Sequence, residues 1–159
     1  MRAGKKASRS RTTARRNERQ GAVPRYRFLA YLCSPGEFRF CRVLREAIGG
    51  DYIVMMKVRA AALLACPPDR WDQDGRRVSQ KEFDFVLVRT GTSRVVTAIE
   101  LDDRSHNQRD RRQRDRFLDE ACKQAGLPLI RFKVQRRYDP EEIRNRVLGG
   151  ISDWTRRSA

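Results

Sequence analysis

Asp84, Glu100 and Asp102 interrupt two runs of otherwise apolar sequence. Residues 83–88 (FDFVLV) and 94–101 (RVVTAIEL) are β-branched or aromatic, and Thr90-Gly91-Thr92-Ser93 lies between them, which predicts a β-hairpin. Side chains alternate along a strand, so Asp84, Val86 and Val88 share one face and Phe83, Phe85 and Leu87 the other. On the second strand Val96, Ala98, Glu100 and Asp102 share a face, with Val95, Thr97, Ile99 and Leu101 opposite. With a loop over 91–93, antiparallel pairing sets Asp84 across from Glu100, their Cβ atoms about 4.5–5.5 Å apart. Like charges placed so are destabilising unless something compensates. A hard divalent cation does. Mg²⁺, with Mn²⁺ as a substitute, takes oxygen ligands from one or two carboxylates and keeps waters for a substrate phosphate. The competing arrangement has one acid facing solvent or paired with one of the many arginines. His106 lies four residues beyond Asp102; free imidazole titrates near neutrality, which suits it to proton transfer, although a lone histidine is more often structural.

Other elements must carry this hairpin. Ser34-Pro35-Gly36-Glu37 reads as an N-cap, a proline at the first helical position and a capping-box glutamate. Phe40, Leu44 and Ile48, with Cys41 and Ala47 beside them, give the helix its apolar stripe, and Gly49-Gly50 stops it. Residues 52–58 (YIVMMKV) predict a strand, residues 60–65 a helical turn, and the polar stretch 67–79 a loop. After the hairpin, residues 102–116 hold no large apolar side chain. Phe117, Leu118, Ala121, Cys122 and Ala125 then restore helical periodicity up to Gly126. Residues 127–134 (LPLIRFKV) predict another strand, and Asp139-Pro140-Glu141-Glu142 opens a last helix. That helix has Ile143, Val147, Ile151 and Trp154 on its buried face, with Gly149-Gly150 a candidate break. The order is helix, strand, strand, strand, helix, strand, helix.

Composition narrows the partners. The 159 residues carry 36 Lys and Arg against 20 Asp and Glu, a net charge of +16, for which a polyanion is the natural partner. Residues 1–27 hold ten of those basic residues and one acid, a net of +9, with almost nothing to bury. We expect a disordered basic arm over 1–27, either a solubilising tail or a flexible arm that neutralises phosphates, and one domain over 28–159. No stretch approaches the roughly 20 apolar residues of a membrane span. The arm has transit-peptide composition without an amphipathic arginine pattern, so the expected location is cytoplasmic. Cys33, Cys41, Cys66 and Cys122 match no zinc spacing and are expected to be reduced thiols. Arg104, Arg109, Arg111, Arg112, Arg114 and Arg116 form either a solvated helix face or a row of phosphate contacts.

The element order matches the αβββαβ core of the PD-(D/E)XK nuclease superfamily. Asp84-Phe85-Val86 followed by Ile99-Glu100-Leu101-Asp102-Asp103-Arg104-Ser105-His106 resembles its D…ExD…H variant. That variant occurs in very-short-patch repair endonuclease-like proteins and related bacterial domains of unknown function. The passage from Arg114-Asp115-Arg116 to Gly126-Leu127-Pro128-Leu129-Ile130-Arg131-Phe132 is similar to theirs as well, and the likeness spans about residues 28–148. The resemblance implies an α/β fold with a restriction-endonuclease-like core, a mixed central sheet flanked by helices. It implies that Asp84 and Glu100 bind the metal with the backbone carbonyl of Leu101, helped by a first-helix glutamate, Glu37 or Glu46. Position 102 departs from the pattern, because the usual lysine is an aspartate here. Asp102 can orient water or bind metal but cannot stabilise developing negative charge. Lys57, Lys81 or His106 is left to supply the positive charge.

The expected activity is metal-dependent hydrolysis of nucleic-acid phosphodiester bonds, with DNA the favoured substrate and the arginines and basic arm holding its backbone. Lys57 and Lys81 are candidate backbone contacts too. Two rivals stay open: a silent nucleic-acid-binding module of the same fold, and an interaction domain that joins a ribonucleoprotein through charge. Cutting both strands of a duplex needs two sites, which leaves a homodimer open.

Overall fold

The computed structural model describes residues 26–102 and 108–158, with the helix backbone alone over 108–115 and 157–158. The chain divides into two units, Met1–Ala30 and Tyr31–Ala159. All elements among the described residues belong to the second. The first contributes only residues 26–30 to the description, so the expected arm lies almost wholly outside the described residues.

Helix α1 (Pro35–Ile48) begins as its sequence dictates. The Ser34 hydroxyl accepts from the Glu37 N–H at 3.2 Å, and the Ser34 N–H donates to Glu37 Oε2 at 2.6 Å. This capping box satisfies two amides that no helical carbonyl reaches. Strand β1 (Tyr52–Arg59) follows, then short helical turns over Ala60–Ala62, Pro68–Arg70 and Trp71–Gly75 and a one-turn helix α2 (Arg76–Ser79). The stretch 67–79, expected as a loop, is thus largely helical. Its polarity hides Val78, which is buried, and Gly75, which lies directly under the Trp71 ring.

Strands β2 (Glu82–Arg89) and β3 (Val95–Asp102) form the hairpin, α3 (Gln108–Ala125) crosses over, and β4 (Leu129–Lys133) returns parallel to β3. The sheet is mixed, in the order β1-β2-β3-β4. Helix α4 (Pro140–Ser158) runs unbroken through the candidate break at Gly149 and Gly150. Gly150 serves packing instead, since a Cβ there would stand 2.9 Å from Ile130 Cδ1.

Two apolar clusters flank the sheet. On one side Phe40, Leu44 and Ile48 of α1 and Ile143 and Val147 of α4 pack on Phe85, Leu87, Ile99, Leu101, Ile130 and Phe132. On the other, Leu118 and Cys122 of α3 and Ala60, Leu64 and Val78 cover Val86, Val88 and Ala98. Helices on both faces explain why both faces of the hairpin are apolar. The strict alternation expected of β2 fails at one place. Phe83 joins the second cluster, apart from Phe85 and Leu87. Across from it, Met56 packs with the first cluster and Val58 with the second. Between them Lys57 has a φ of +53°, a left-handed conformation that turns the strand over.

Candidate active site

The hairpin register is set by a compensation. The Arg89 N–H bonds the Arg94 carbonyl, so the turn spans four residues rather than the three (91–93) of the expected loop. Val88 pairs with Val95 but Leu87 with Thr97, so one extra residue on β3 bulges out. The bulge restores the register that sets Phe85 against Ile99, and with it Asp84 across from Glu100.

There the two strands part. Pairing between β2 and β3 ends at Phe85–Ile99, while β1–β2 pairing continues to Arg59–Glu82 and β3–β4 pairing to Asp102–Lys133. The sheet forks at its centre, and the Leu101 N–H has no β2 carbonyl to meet. Asp84 Oδ2 takes it instead, at 2.9 Å. A carboxylate is therefore fixed in the fork by the backbone of the neighbouring strand.

Lys57 enters from β1. Its Nζ donates to Asp84 Oδ1 at 2.9 Å and to Glu37 Oε1 at 2.6 Å, with Glu82 Oε1 at 3.8 Å. Burial works against its charge, but the bonds to Glu37 and Asp84 prevail and hold its pKa above the ordinary lysine value. Burial also raises Glu37, yet the bonds from Lys57 and from Ser34 overcome this and bring it down to about 2. Asp84 moves the other way despite the same lysine. Its burial outweighs the Leu101 amide and Lys57 together, and its pKa is raised.

Glu100 is the least compensated group. Its Oε1 is buried without a hydrogen-bond partner among the described residues. Burial first, and the Asp84 charge second, push its pKa up to about 8. A native structure seldom leaves such an oxygen unpaired, and an unpaired one marks a missing proton, water or ion. Asp102 faces a different partner. Its Oδ1 accepts from Arg131 Nη1 at 3.0 Å, and Arg131 also holds Asp119.

The structure thus brings Asp84, Glu100, Lys57 and Glu37 together and ties Asp102 to Arg131 beside them. It does not bring in Lys81, at the foot of β2, whose carbonyl caps the Ala60 N–H and whose side chain meets none of these acids. Glu46 lies exposed further along α1, away from the cluster. Arg104 and His106 fall outside the described residues. Arg109, Arg111, Arg112 and Arg114 lie on α3 by their backbone, their side chains outside the description, and Arg116 is exposed. Arg131 was not anticipated. Its signal was a guanidinium set in an apolar strand, paired in register with Glu100.

Among the described residues no group of three or more His, Cys, Asp and Glu side chains is placed to hold a metal ion. The two carboxylates at the fork nevertheless fit a hard cation that needs only one or two such ligands, because it would satisfy the orphaned Glu100 oxygen and cancel the repulsion from Asp84. Four free thiols, two of them buried, lie outside this chemistry. Among the described residues no helix is long and apolar enough to cross a membrane.

No curated protein and no solved structure matches the chain. A family model described as "Protein of unknown function (DUF2726)" matches residues 29–150, which takes in every described strand and the whole acidic cluster, and the chain belongs to that family.

Proposed function

We propose that the chain is a metal-dependent nuclease that hydrolyses nucleic-acid phosphodiester bonds, DNA being the favoured substrate, on a restriction-endonuclease-like core. The observation that carries this reading is the buried, unpartnered Glu100 oxygen across the strand fork from Asp84. Asp84 and Glu100 would hold Mg²⁺ or Mn²⁺, with the Leu101 carbonyl and Glu37 as further candidate ligands. Bound there, the ion would lower the pKa of a coordinated water and polarise the scissile phosphate. Lys57 sits on Asp84 and supplies the positive charge that position 102 lacks, close to where a phosphate would lie. Asp102, oriented by Arg131, would accept a hydrogen bond from the attacking water. His106 is the candidate for proton transfer, and the basic residues of α3 and the arm are candidates for the backbone. Incision of both strands by one such site calls for a second copy.

One observation favours the silent binding module. Asp84 and Asp102 each already have a protein cation, Lys57 and Arg131. The two readings part in a plasmid assay with Mg²⁺, Mn²⁺ or EDTA, run on wild type, Asp84→Ala and Glu100→Gln. Metal-dependent nicking lost in both variants supports the nuclease. DNA binding that ignores EDTA, with no nicking under any condition, supports the silent module.

A further inference from the structure

A second basic feature lies outside the acidic cluster. Arg39, Arg42 and Arg45 of α1, with Arg136 and Arg137 from the segment between β4 and α4, line a cavity of about 560 Å³. Among the described residues the only acid in the lining is Glu46. All five arginines are exposed, and among the described residues none has a hydrogen-bond or ion-pair partner. With one acid among five guanidinium groups, such charges repel one another, and an anion offsets that cost. The planar guanidinium fork matches phosphate geometry.

Both walls of the cavity start at the acidic end of the sheet. Arg39 stands two residues after Glu37, which reaches Lys57. The other wall leaves β4 where the Val134 N–H bonds the Asp102 carbonyl at 3.0 Å. That wall is also held in shape. The Tyr138 ring packs edge-on against Phe40, and its hydroxyl accepts from the Gln135 N–H at 2.9 Å and donates to the Lys133 carbonyl at 3.4 Å. Arg136 and Arg137 are therefore carried on a loop closed by Tyr138, and a preorganised loop loses less entropy on binding.

We propose that this cavity is a phosphate-binding groove that takes the nucleic-acid backbone flanking the acidic cluster. The proposal rests on the nucleic-acid reading above and adds to it a binding surface separate from α3 and the arm. Contacts of this kind are blind to sequence and release counterions, so they set the salt dependence of binding.

The test is fluorescence anisotropy of the full chain with two labelled DNA duplexes of unrelated sequence, in EDTA and across a salt series. The groove variants are Arg42→Glu with Arg136→Glu, and the milder Arg42→Gln with Arg136→Gln. The control reverses two exposed charges elsewhere, Arg76→Glu with Arg94→Glu. The groove variants are expected to lose about tenfold or more in affinity for both duplexes, and the log–log salt slope to fall by about two, with the control keeping the wild-type slope. Equal slopes in groove and control variants overturn the proposal, as does undetectable binding by wild type. Anionic lipid vesicles that compete as well as unlabelled duplex overturn it in favour of a surface for any polyanion. Because no metal is present, the outcome is independent of cleavage. Groove-dependent binding without plasmid nicking keeps the groove and removes the nuclease, and nicking with groove-independent binding does the reverse.

Discussion

Lys57 is the residue on which the acidic cluster balances. It holds Glu37 and Asp84 at once, its side chain only 20% exposed, and it does so in a left-handed backbone conformation unfavourable for a side-chain-bearing residue. Removing one partner of so buried an ion pair leaves uncompensated charge. Lys57→Met should therefore cost about 3 kcal/mol in urea unfolding with EDTA present. If Asp84 and Glu100 hold a divalent cation, Mg²⁺ or Mn²⁺ at millimolar levels should return much of that loss. A deficit that ignores the metal would sink the metal site. Glu100 makes a separate prediction. Its folded pKa of about 8 stands above the ordinary 4.5. Between those values the folded protein keeps a proton that the unfolded chain has released. Its contribution to stability is then whole below the lower value and is lost as the pH rises through the upper one. Glu100→Gln should match wild type near pH 5 and exceed it by a few kcal/mol near pH 9, metal-free, since each pKa unit is worth about 1.4 kcal/mol. Thermal melts at the two pH values check this, and parallel profiles for the two proteins would remove Glu100 from the buried site.

At the scale of elements, the cap of α1 links folding to the site. Glu37 gives one carboxylate oxygen to the Ser34 N–H and the other to Lys57, so the residue that starts the helix also orients the lysine. Ser34→Ala should cost about 1 kcal/mol, as cap losses do. Ser34→Thr should recover most of it in the same melts. Helix α4 offers a sharper comparison. Gly149 has open space where a Cβ would go, while at Gly150 that atom would meet Ile130 at 2.9 and 3.2 Å. Alanine gains about 1 kcal/mol over glycine inside a helix, so Gly149→Ala should stabilise. Gly150→Ala should fall short of it by about as much, because the gain is spent moving Ile130. The reverse ranking would mean that α4 does not lie so close to β4. These helices were legible in the sequence because their signals are local: a capping box, a stripe of apolar residues at helical spacing, a proline after an N-cap. Gly149-Gly150 misled for the complementary reason. A glycine read in isolation suggests a stop, and only the neighbouring strand shows that it makes room for a side chain.

At the scale of the whole molecule the same division holds. The meeting of Asp84 with Glu100 followed from alternation and the hairpin, and the mixed sheet from the family resemblance, but the route to the register differed, with a longer turn offset by a bulge. No local pattern foretold that Asp102 would be claimed by Arg131, or that Arg39 and Arg42 would face Arg136 and Arg137 across nearly a hundred residues of chain. Charges meeting through tertiary structure leave no periodicity to read. This matters for the arm, whose role is argued from composition alone. Residues 1–27 hold a net +9 of the total +16. If phosphate contacts are divided between arm and domain, deletion of 1–25 should weaken DNA binding strongly at low salt and flatten its salt dependence. If the acidic cluster is the nuclease site proposed above, the deletion should leave nicking at saturating protein unchanged, because every acid of the cluster lies beyond residue 36. Anisotropy across a salt series gives the first quantity, and single-turnover nicking at saturating protein gives the second. A truncated chain that binds with the wild-type slope would place the phosphate contacts wholly on the folded domain. One that binds DNA but turns over slowly at saturation would mean that the arm reaches the site itself.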